Sequence, residues 1–141
     1  MDFKSNSVFD CTLVEINTIK DLSGVITIVE NEPSTPFEVK RIYYLYDVPG
    51  GQKRGEHAHK ELQQFVFAAR GSFEVVLDDN LNKRRFVLNK PNLALHIVPG
   101  IWRCLDNFST GSVCMVLASH IYDEGDYIRN YQEFQILKKR G

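Results

Sequence analysis

The chain has 141 residues, of which 43% are apolar and 25% charged, as expected for one globular domain with a hydrophobic core. Its formal charge of −1 argues against a surface for duplex DNA or RNA, so we expect no nucleic-acid partner. No apolar run reaches the roughly 20 residues of a membrane span, so we expect no membrane association.

Short β-branched and aromatic runs, separated by turns rich in Gly, Pro and Asn, predict strands along most of the chain. The predicted strands are 11–17, 24–30, 37–48, 64–69, 72–78, 84–88, 93–98, 101–105 and 112–119. Within 37–48, alternation places Arg41 and Tyr43 on one face and Ile42 and Tyr44 on the other. Only the tail, residues 126–139, suits a helical turn or two.

About ten short strands without repeats or linkers predict an all-β fold in which residues 1–141 form a single domain. A jelly roll fits best, because its interior can hold a ligand. Edge strands of such folds often pair between subunits, so we expect a homodimer. The N-terminus lacks the apolar stretch of a signal peptide, and the odd cysteine count favours free thiols in a reducing cytoplasm.

Two histidines, His57 and His59, follow the turn Pro49-Gly50-Gly51. Side chains two positions apart on a strand point to the same face, so the two imidazoles are expected to converge. Convergent imidazoles serve either to bind a metal ion or to transfer protons.

The spacing around these histidines resembles the two metal-binding motifs of the cupin family. The matching positions are Gly51, His57, His59, Gln64 and Gly71 in the first motif and Pro99-Gly100, Arg103 and Asn107 in the second. Gln64 stands where that family has a carboxylate ligand, and Arg103 stands where it has a third histidine. An amide is a poor ligand for zinc or iron and a guanidinium cannot ligate at all. We therefore predict no metal ion and no other cofactor.

Five further segments resemble the sugar 3,4-ketoisomerases, a cupin subfamily. They are residues 37–44, 54–60, 101–103, 116–119 and 122–131. The resemblance implies a metal-free jelly-roll homodimer that converts dTDP-4-keto-6-deoxyglucose to its 3-keto isomer. That product would be the substrate of an aminotransferase that makes a 3-amino-3,6-dideoxyhexose for a lipopolysaccharide or another bacterial product.

Moving a carbonyl from C4 to C3 requires a base, and a neutral imidazole with a pKa of about 6.5 suits that task. By resemblance, His57 is the proton acceptor, and His59 orients it or shuttles the proton between oxygens. Donors for the developing oxyanion are expected from Tyr43, Gln64 or Arg103. Cations for the diphosphate are expected from Arg41, Arg54 and Lys60, since guanidinium groups match phosphate oxygens.

Some positions stay open at this level. Trp102 is expected in the core, and Tyr127 and Arg129 either contact the nucleotide or pack the tail on the barrel. His96 and His120 are expected to be ordinary strand histidines.

The product and the function class also leave alternatives. Arg103 is a poor acid, which favours retention of the gluco configuration at C4. The functional alternatives are a sugar-nucleotide 3,5-epimerase and a non-catalytic cupin that binds a sugar.

Overall fold

A computed structural model describes residues 2–32 and 34–139, so Met1, Pro33, Arg140 and Gly141 of the predicted domain lie outside the described residues. It confirms the all-β jelly roll. The elements are β1 (Thr12–Glu15), β2 (Thr18–Asp21), β3 (Gly24–Thr27), β4 (Arg41–Tyr46), β5 (Arg54–His59), β6 (Gln64–Arg70), β7 (Phe73–Asp78), β8 (Lys83–Leu88), β9 (Leu93–Ile97), β10 (Trp102–Asp106), β11 (Val113–Ala118), β12 (Tyr127–Ile128) and α1 (Tyr131–Lys138). None of the described helices is long and apolar enough to span a membrane.

Two five-stranded antiparallel sheets form the body of the molecule. One has the order β1-β9-β6-β11-β4 and the other the order β12-β5-β10-β7-β8. Their facing sides bury one apolar cluster, which includes Phe73, Leu77, Leu95 and Val116. Strand β7 shows why: its first five residues alternate between buried and half-buried, as period-two side-chain direction requires.

The largest differences from the sequence prediction are in three elements. The polar segment before Gly24 is not only a turn, because β2 pairs with β3 in a separate hairpin that joins neither large sheet. The side chain of Asp21 closes this hairpin by accepting a hydrogen bond from the Ser23 amide at 2.7 Å. Strand β4 is shorter than the predicted 37–48, and the short strand β12 was not predicted. Neither β2 nor β12 has a buried face of sufficient length to give an alternating pattern.

The C-terminal segment orients the histidine strand. Ala58, between the two histidines, points to the outer face of its sheet, where it packs with Trp102, Ile128 and Phe134 of α1. Trp102 is therefore a core residue, as predicted. Since neighbouring side chains on a strand alternate, burial of Ala58 on the outer face turns His57 and His59 towards the space between the sheets.

The turn before β10 is fixed to the same strand. Gly100 has a φ of +80°, and its amide donates a hydrogen bond of 2.9 Å to the His59 carbonyl. A Cβ atom at this position would collide with the Phe3 carbonyl, so only glycine is accommodated. The turn thereby connects the end of β5 to the start of the strand that carries Arg103.

Candidate active site

An open cavity of about 400 Å³ lies between the two sheets. Of the predicted site residues, those that line it are Arg41, Tyr43, Arg54, His57, Gln64 and Arg103. The lining residues among those described do not include His59 or Lys60. Most of the site residues predicted from the sequence therefore lie together at this cavity, on strands β4, β5, β6 and β10.

Arg103 is the most deeply buried charge at this site, with 2% of its surface exposed. It lies opposite His57 in the pairing of β10 with β5. Its Nη2 and Nε donate to the Ile101 carbonyl at 3.0 and 3.3 Å, and its Nη1 donates to Oε1 of Gln64. No carboxylate forms an ion pair with this guanidinium in the described part of the chain. Burial lowers the pKa of Arg103 to about 10, so it remains charged at neutral pH.

The Arg103 contact fixes the direction of a hydrogen-bond chain. A guanidinium only donates, so it must face the oxygen of the Gln64 amide. The amide nitrogen of Gln64 then faces Tyr43 and donates to its hydroxyl at 2.9 Å. Because this nitrogen cannot accept, the Tyr43 proton is available to an acceptor other than Gln64. Gln64 was predicted as a substrate contact, but it also spans the gap between Arg103 and Tyr43.

His57 is 9% exposed and lines the cavity. Its Nε2 is buried and has no hydrogen-bond partner among residues 2–32 and 34–139. Burial lowers the pKa of His57 to about 2, and the positive charge of Arg103 acts in the same direction. The sequence analysis used the ordinary pKa of about 6.5, so the structure places this imidazole in the neutral form over a much wider pH range.

His59 is completely buried behind the cavity wall. Its ring centroid lies 4.7 Å from that of His57, and the two rings are nearly perpendicular. Nδ1 of His59 is 2.9 Å from Oδ2 of Asp126. Burial lowers the pKa of His59 to about 4, while the Asp126 carboxylate opposes that shift. At neutral pH the contact is thus a hydrogen bond from a neutral imidazole to a carboxylate.

The sequence analysis did not single out Asp126. It belongs to the segment 122–131, whose resemblance to the ketoisomerases was noted as a whole. Its contact with His59 depends on the pairing of β12 with β5, in which Tyr127 lies opposite His59. A two-residue strand leaves no periodic signal, so only the resemblance pointed to this segment.

Tyr127 closes one side of the histidine pair and lines the cavity. Its ring centroid is 5.1 Å from that of His57 and 4.4 Å from that of His59. Arg129 also lines the cavity, with its guanidinium 4.2 Å from the Tyr127 ring centroid and its Nε paired with Glu124 at 2.7 Å. The sequence left two roles open for this tail, contact with the nucleotide or packing on the barrel. Contact with the nucleotide is possible for both residues, because both line the cavity.

Arg41 presents an incompletely bonded guanidinium to the cavity. Its buried Nε has no hydrogen-bond partner among the described residues, and its Nη2 is 3.5 Å from the Tyr127 hydroxyl. The guanidinium also lies 5.2 Å from the centroid of the Tyr43 ring. Arg54 lines the mouth and is exposed, whereas Lys60 is exposed outside the cavity.

The donor set does not suit a metal ion. Among the described residues, no three His, Cys, Asp or Glu side chains are grouped closely enough to hold one. The one atom of Gln64 that could ligate a cation accepts a hydrogen bond from Arg103 instead. A permanent positive charge therefore stands beside the two imidazoles.

Two further buried groups, His96 and Cys114, have no role in the proposed chemistry. His96 bonds to Oε1 of Gln63 at 2.8 Å and packs near Phe37. Cys114 lines the cavity wall, but burial raises its pKa to about 12, so its thiol is unreactive at neutral pH.

Comparison with protein families gives a match over nearly the whole chain. Residues 9–139 match the family model described as FdtA: WxcM-like, C-terminal. Among curated proteins, the TDP-4-oxo-6-deoxy-alpha-D-glucose-3,4-oxoisomerase of Aneurinibacillus thermoaerophilus is 39% identical over 123 residues, which cover 87% of this chain and 88% of that protein.

Solved structures give the same grouping. A 3,4-ketoisomerase from Helicobacter canadensis superposes with a TM-score of 0.89 at 43% identity, covering 92% of this chain and 97% of that one. A histidine-to-asparagine mutant of the 3,4-ketoisomerase QdtA from Thermoanaerobacterium thermosaccharolyticum, in complex with TDP-4-keto-6-deoxyglucose, superposes with a TM-score of 0.91 at 35% identity. The shared region covers 94% of this chain and 96% of that one.

The buried neutral histidines predict how stability depends on pH. His57, His59 and His96 have lowered pKa values in the folded protein, while the unfolded chain binds protons at histidine near pH 6.5. The unfolded state therefore gains protons that the folded state excludes. The free energy of unfolding should therefore fall between pH 7 and pH 5, by roughly 1–2 kcal/mol each for His57 and His59, and His96 acts in the same direction.

Urea unfolding at several pH values measures this dependence. Replacing both His57 and His59 with Asn should remove most of the dependence of the free energy of unfolding on pH, since amides do not titrate. Equal free energies of unfolding at pH 7 and pH 5 in the unsubstituted protein would contradict the assignment of neutral, buried imidazoles.

Proposed function

Because the chain belongs to the FdtA (WxcM-like, C-terminal) family, we propose that it is a TDP-sugar 3,4-ketoisomerase that acts on TDP-4-keto-6-deoxyglucose. One observation carries the chemistry: two buried neutral imidazoles lie beside a buried guanidinium that has no ionic partner among the described residues. Such a site can remove a proton from carbon and stabilise the anion that results.

His57 is the base in this proposal. The C3 proton is acidic because C4 carries the carbonyl, and its removal by His57 moves the electron pair into a C3–C4 double bond and onto O4. O4 then gains a proton as O3 loses one, C3 becomes the carbonyl carbon, and C4 receives a proton in place of the one that His57 removed from C3. The position of His57 on the cavity wall and its unpaired Nε2 support this role.

Arg103 and Tyr43 stabilise the enediolate. The imidazolium of His57 would be unfavourable beside Arg103 in the empty cavity, but the negative charge on the sugar oxygens compensates both cations. Tyr43 supplies a hydroxyl donor, because Gln64 donates to its oxygen and leaves its proton free. Gln64 is a positioning residue, and any direct contact that it makes with the sugar is secondary.

The diphosphate binds at the cavity mouth. Arg41 has unused donors and Arg54 is exposed there, so both can meet phosphate oxygens. Lys60, predicted as a third cation, lies outside the cavity, and its role in binding is not supported by this geometry. Val66, Ile97 and Val116 provide an apolar wall that suits the methyl group of a 6-deoxy sugar.

Other features of the proposal rest on chemistry and family. The enzyme works without a metal or other cofactor, because Arg103 and Gln64 stand at the positions of cupin ligands. Residues 1–141 act as one domain, which the family match over residues 9–139 supports. The three free cysteines favour the cytoplasm.

Because Arg103 is a poor proton donor, we expect the product to have the gluco configuration at C4. The 3-keto group is then the substrate of an aminotransferase that forms a 3-amino-3,6-dideoxyhexose.

The purified protein should move the carbonyl of TDP-4-keto-6-deoxyglucose to C3, with or without exhaustive chelation. Carbon-13 NMR locates the carbonyl, and in D2O the product should gain deuterium at C4 as the enzyme-bound proton exchanges. In H2O, a large coupling between H4 and H5 identifies the gluco product.

The alternatives give different spectra. A 3,5-epimerase would leave the carbonyl at C4 and introduce deuterium at C3 and C5. A non-catalytic sugar-binding cupin would return the substrate unchanged. Either result contradicts the ketoisomerase assignment.

A homodimer completes the proposal. Strand β4 is the edge of its sheet, and the hairpin β2–β3 joins neither large sheet. An isolated two-stranded hairpin is only marginally stable, so this hairpin is expected to pack against another surface. Their exposed apolar side chains are Ile19, Val25, Ile26, Ile42, Tyr44 and Tyr46. A second copy offers both an open edge and a hairpin, so the two copies can cover each other's apolar surface symmetrically.

Sedimentation equilibrium should give about twice the 16.2 kDa of one chain. Replacing both Tyr44 and Tyr46 with Glu should yield monomers, because burying two carboxylates opposes association. Leu81→Glu, a matched charge on an exposed apolar residue in the turn between β7 and β8, should remain dimeric. A monomeric unsubstituted protein at micromolar concentration would contradict the dimer.

A further inference from the structure

The carboxylate of Asp126 makes hydrogen bonds with three groups of the protein. Its Oδ2 lies 2.9 Å from Nδ1 of His59 and 3.3 Å from the Leu62 amide, and its Oδ1 accepts from the Glu61 amide at 2.8 Å. Its own carbonyl accepts from the Lys60 amide at 3.0 Å. Both carboxylate oxygens and the backbone are thus tied to the end of β5 and the residues that follow it. The carboxylate has a fixed position relative to the His59 ring.

The bonding around Asp126 determines which nitrogen of His59 carries a proton. Burial raises the pKa of Asp126, but the hydrogen bonds from His59 and the two amides lower it overall, so it is ionised at neutral pH. An ionised carboxylate only accepts, hence Nδ1 must donate. A neutral imidazole protonated on Nδ1 has its lone pair on Nε2. That Nε2 is buried, with no hydrogen-bond partner among the described residues.

We propose that Asp126 is a positioning residue of the proton-transfer site, which holds His59 in the Nδ1–H tautomer and leaves Nε2 as a proton acceptor beside His57. This inference rests on the proposed ketoisomerase function. It decides between the two roles left open for His59. An imidazole that already donates through Nδ1 can accept a proton at Nε2 without rotating, so His59 serves as a proton relay, in contact with His57.

The relay makes the reaction balanced at each step. When Nε2 accepts a proton, the imidazolium is stabilised by the Asp126 carboxylate that holds Nδ1–H. When the proton leaves, the same tautomer is restored. His59 therefore carries the hydroxyl proton released from O3 back to O4 through a bound water, while His57 holds the proton taken from C3, and no net proton is gained or lost.

The surroundings of His59 predict the direction of a pH effect. The charged or titratable groups that face it are His57 on β5, Arg103 from β10, Arg41 from β4, and Asp126 and Tyr127 from the C-terminal segment. Burial, Arg103 and Arg41 lower the pKa of His59, and Asp126 opposes them. Removing the carboxylate charge should lower that pKa further. The acidic limb of the kcat/KM profile should then move to lower pH.

Asp126→Asn tests the proposal, because an amide keeps the shape but can donate to Nδ1 and select the other tautomer. We expect kcat to fall about 10- to 100-fold, the range known for carboxylates that orient metal-binding histidines. The acidic limb should move to lower pH. Nitrogen-15 NMR of the histidine side chains should show the proton of His59 moving from Nδ1 to Nε2, with His59→Asn used to assign the signals.

Asp123→Asn is the matched control, since it removes the same charge from the same segment. Asp123 caps the short 3-10 helix Glu124–Asp126 by accepting from the Gly125 amide, a bond that an asparagine oxygen also accepts. This variant should keep the kcat, pH profile and His59 tautomer of the unsubstituted enzyme.

The NMR measurement distinguishes an error in the positioning role of Asp126 from an error in the proposed function. If the unsubstituted protein shows His59 protonated on Nε2, or if Asp126→Asn keeps both the tautomer and the pH profile, the positioning role is wrong even in an active enzyme. If the unsubstituted protein does not isomerise the sugar, the proposed function is wrong whatever the tautomer. The tautomer of the unsubstituted protein decides the matter should Asp126→Asn not fold.

Discussion

A buried guanidinium without an ionic partner in the described part of the chain is the constraint on which this site depends. Arg103 is 2% exposed, and its hydrogen bonds go to a backbone carbonyl and an amide oxygen. Burying a charge is costly unless something compensates it. Here the compensation in the resting protein consists of neutral dipoles, so the cavity favours a ligand that brings or develops negative charge.

The positive charge also determines the state of the groups around it. It obliges Gln64 to present its oxygen to Arg103 and its nitrogen to Tyr43, which leaves the tyrosine proton to the cavity. With burial, it keeps His57 neutral and thus able to accept a proton. A metal ion at the same place would be repelled. Arginine at a cupin ligand position is therefore consistent with the metal-free proton-transfer site that we propose.

The sequence predicted the fold well where strands have one buried face. The alternation in β4 correctly placed Arg41 and Tyr43 on one face of the strand. The cupin spacing correctly predicted that His57, Gln64 and Arg103 lie together. The sequence failed where the structure has no periodic signal, as in strand β2 of the exposed hairpin and the two-residue β12. It also could not supply the low pKa of His57 or the contact of Asp126 with His59, since both depend on burial and on residues distant in the chain.

The rate of 4-keto to 3-keto conversion by His57→Asn tests the central claim most directly. Asparagine keeps a polar side chain of similar reach but cannot accept a proton, so the rate should fall by about 10²–10⁴-fold. Affinity for TDP, measured by calorimetry, should change little, and His59→Asn should lose less activity than His57→Asn. A His57→Asn enzyme that keeps most of its activity would show that this imidazole is not the base.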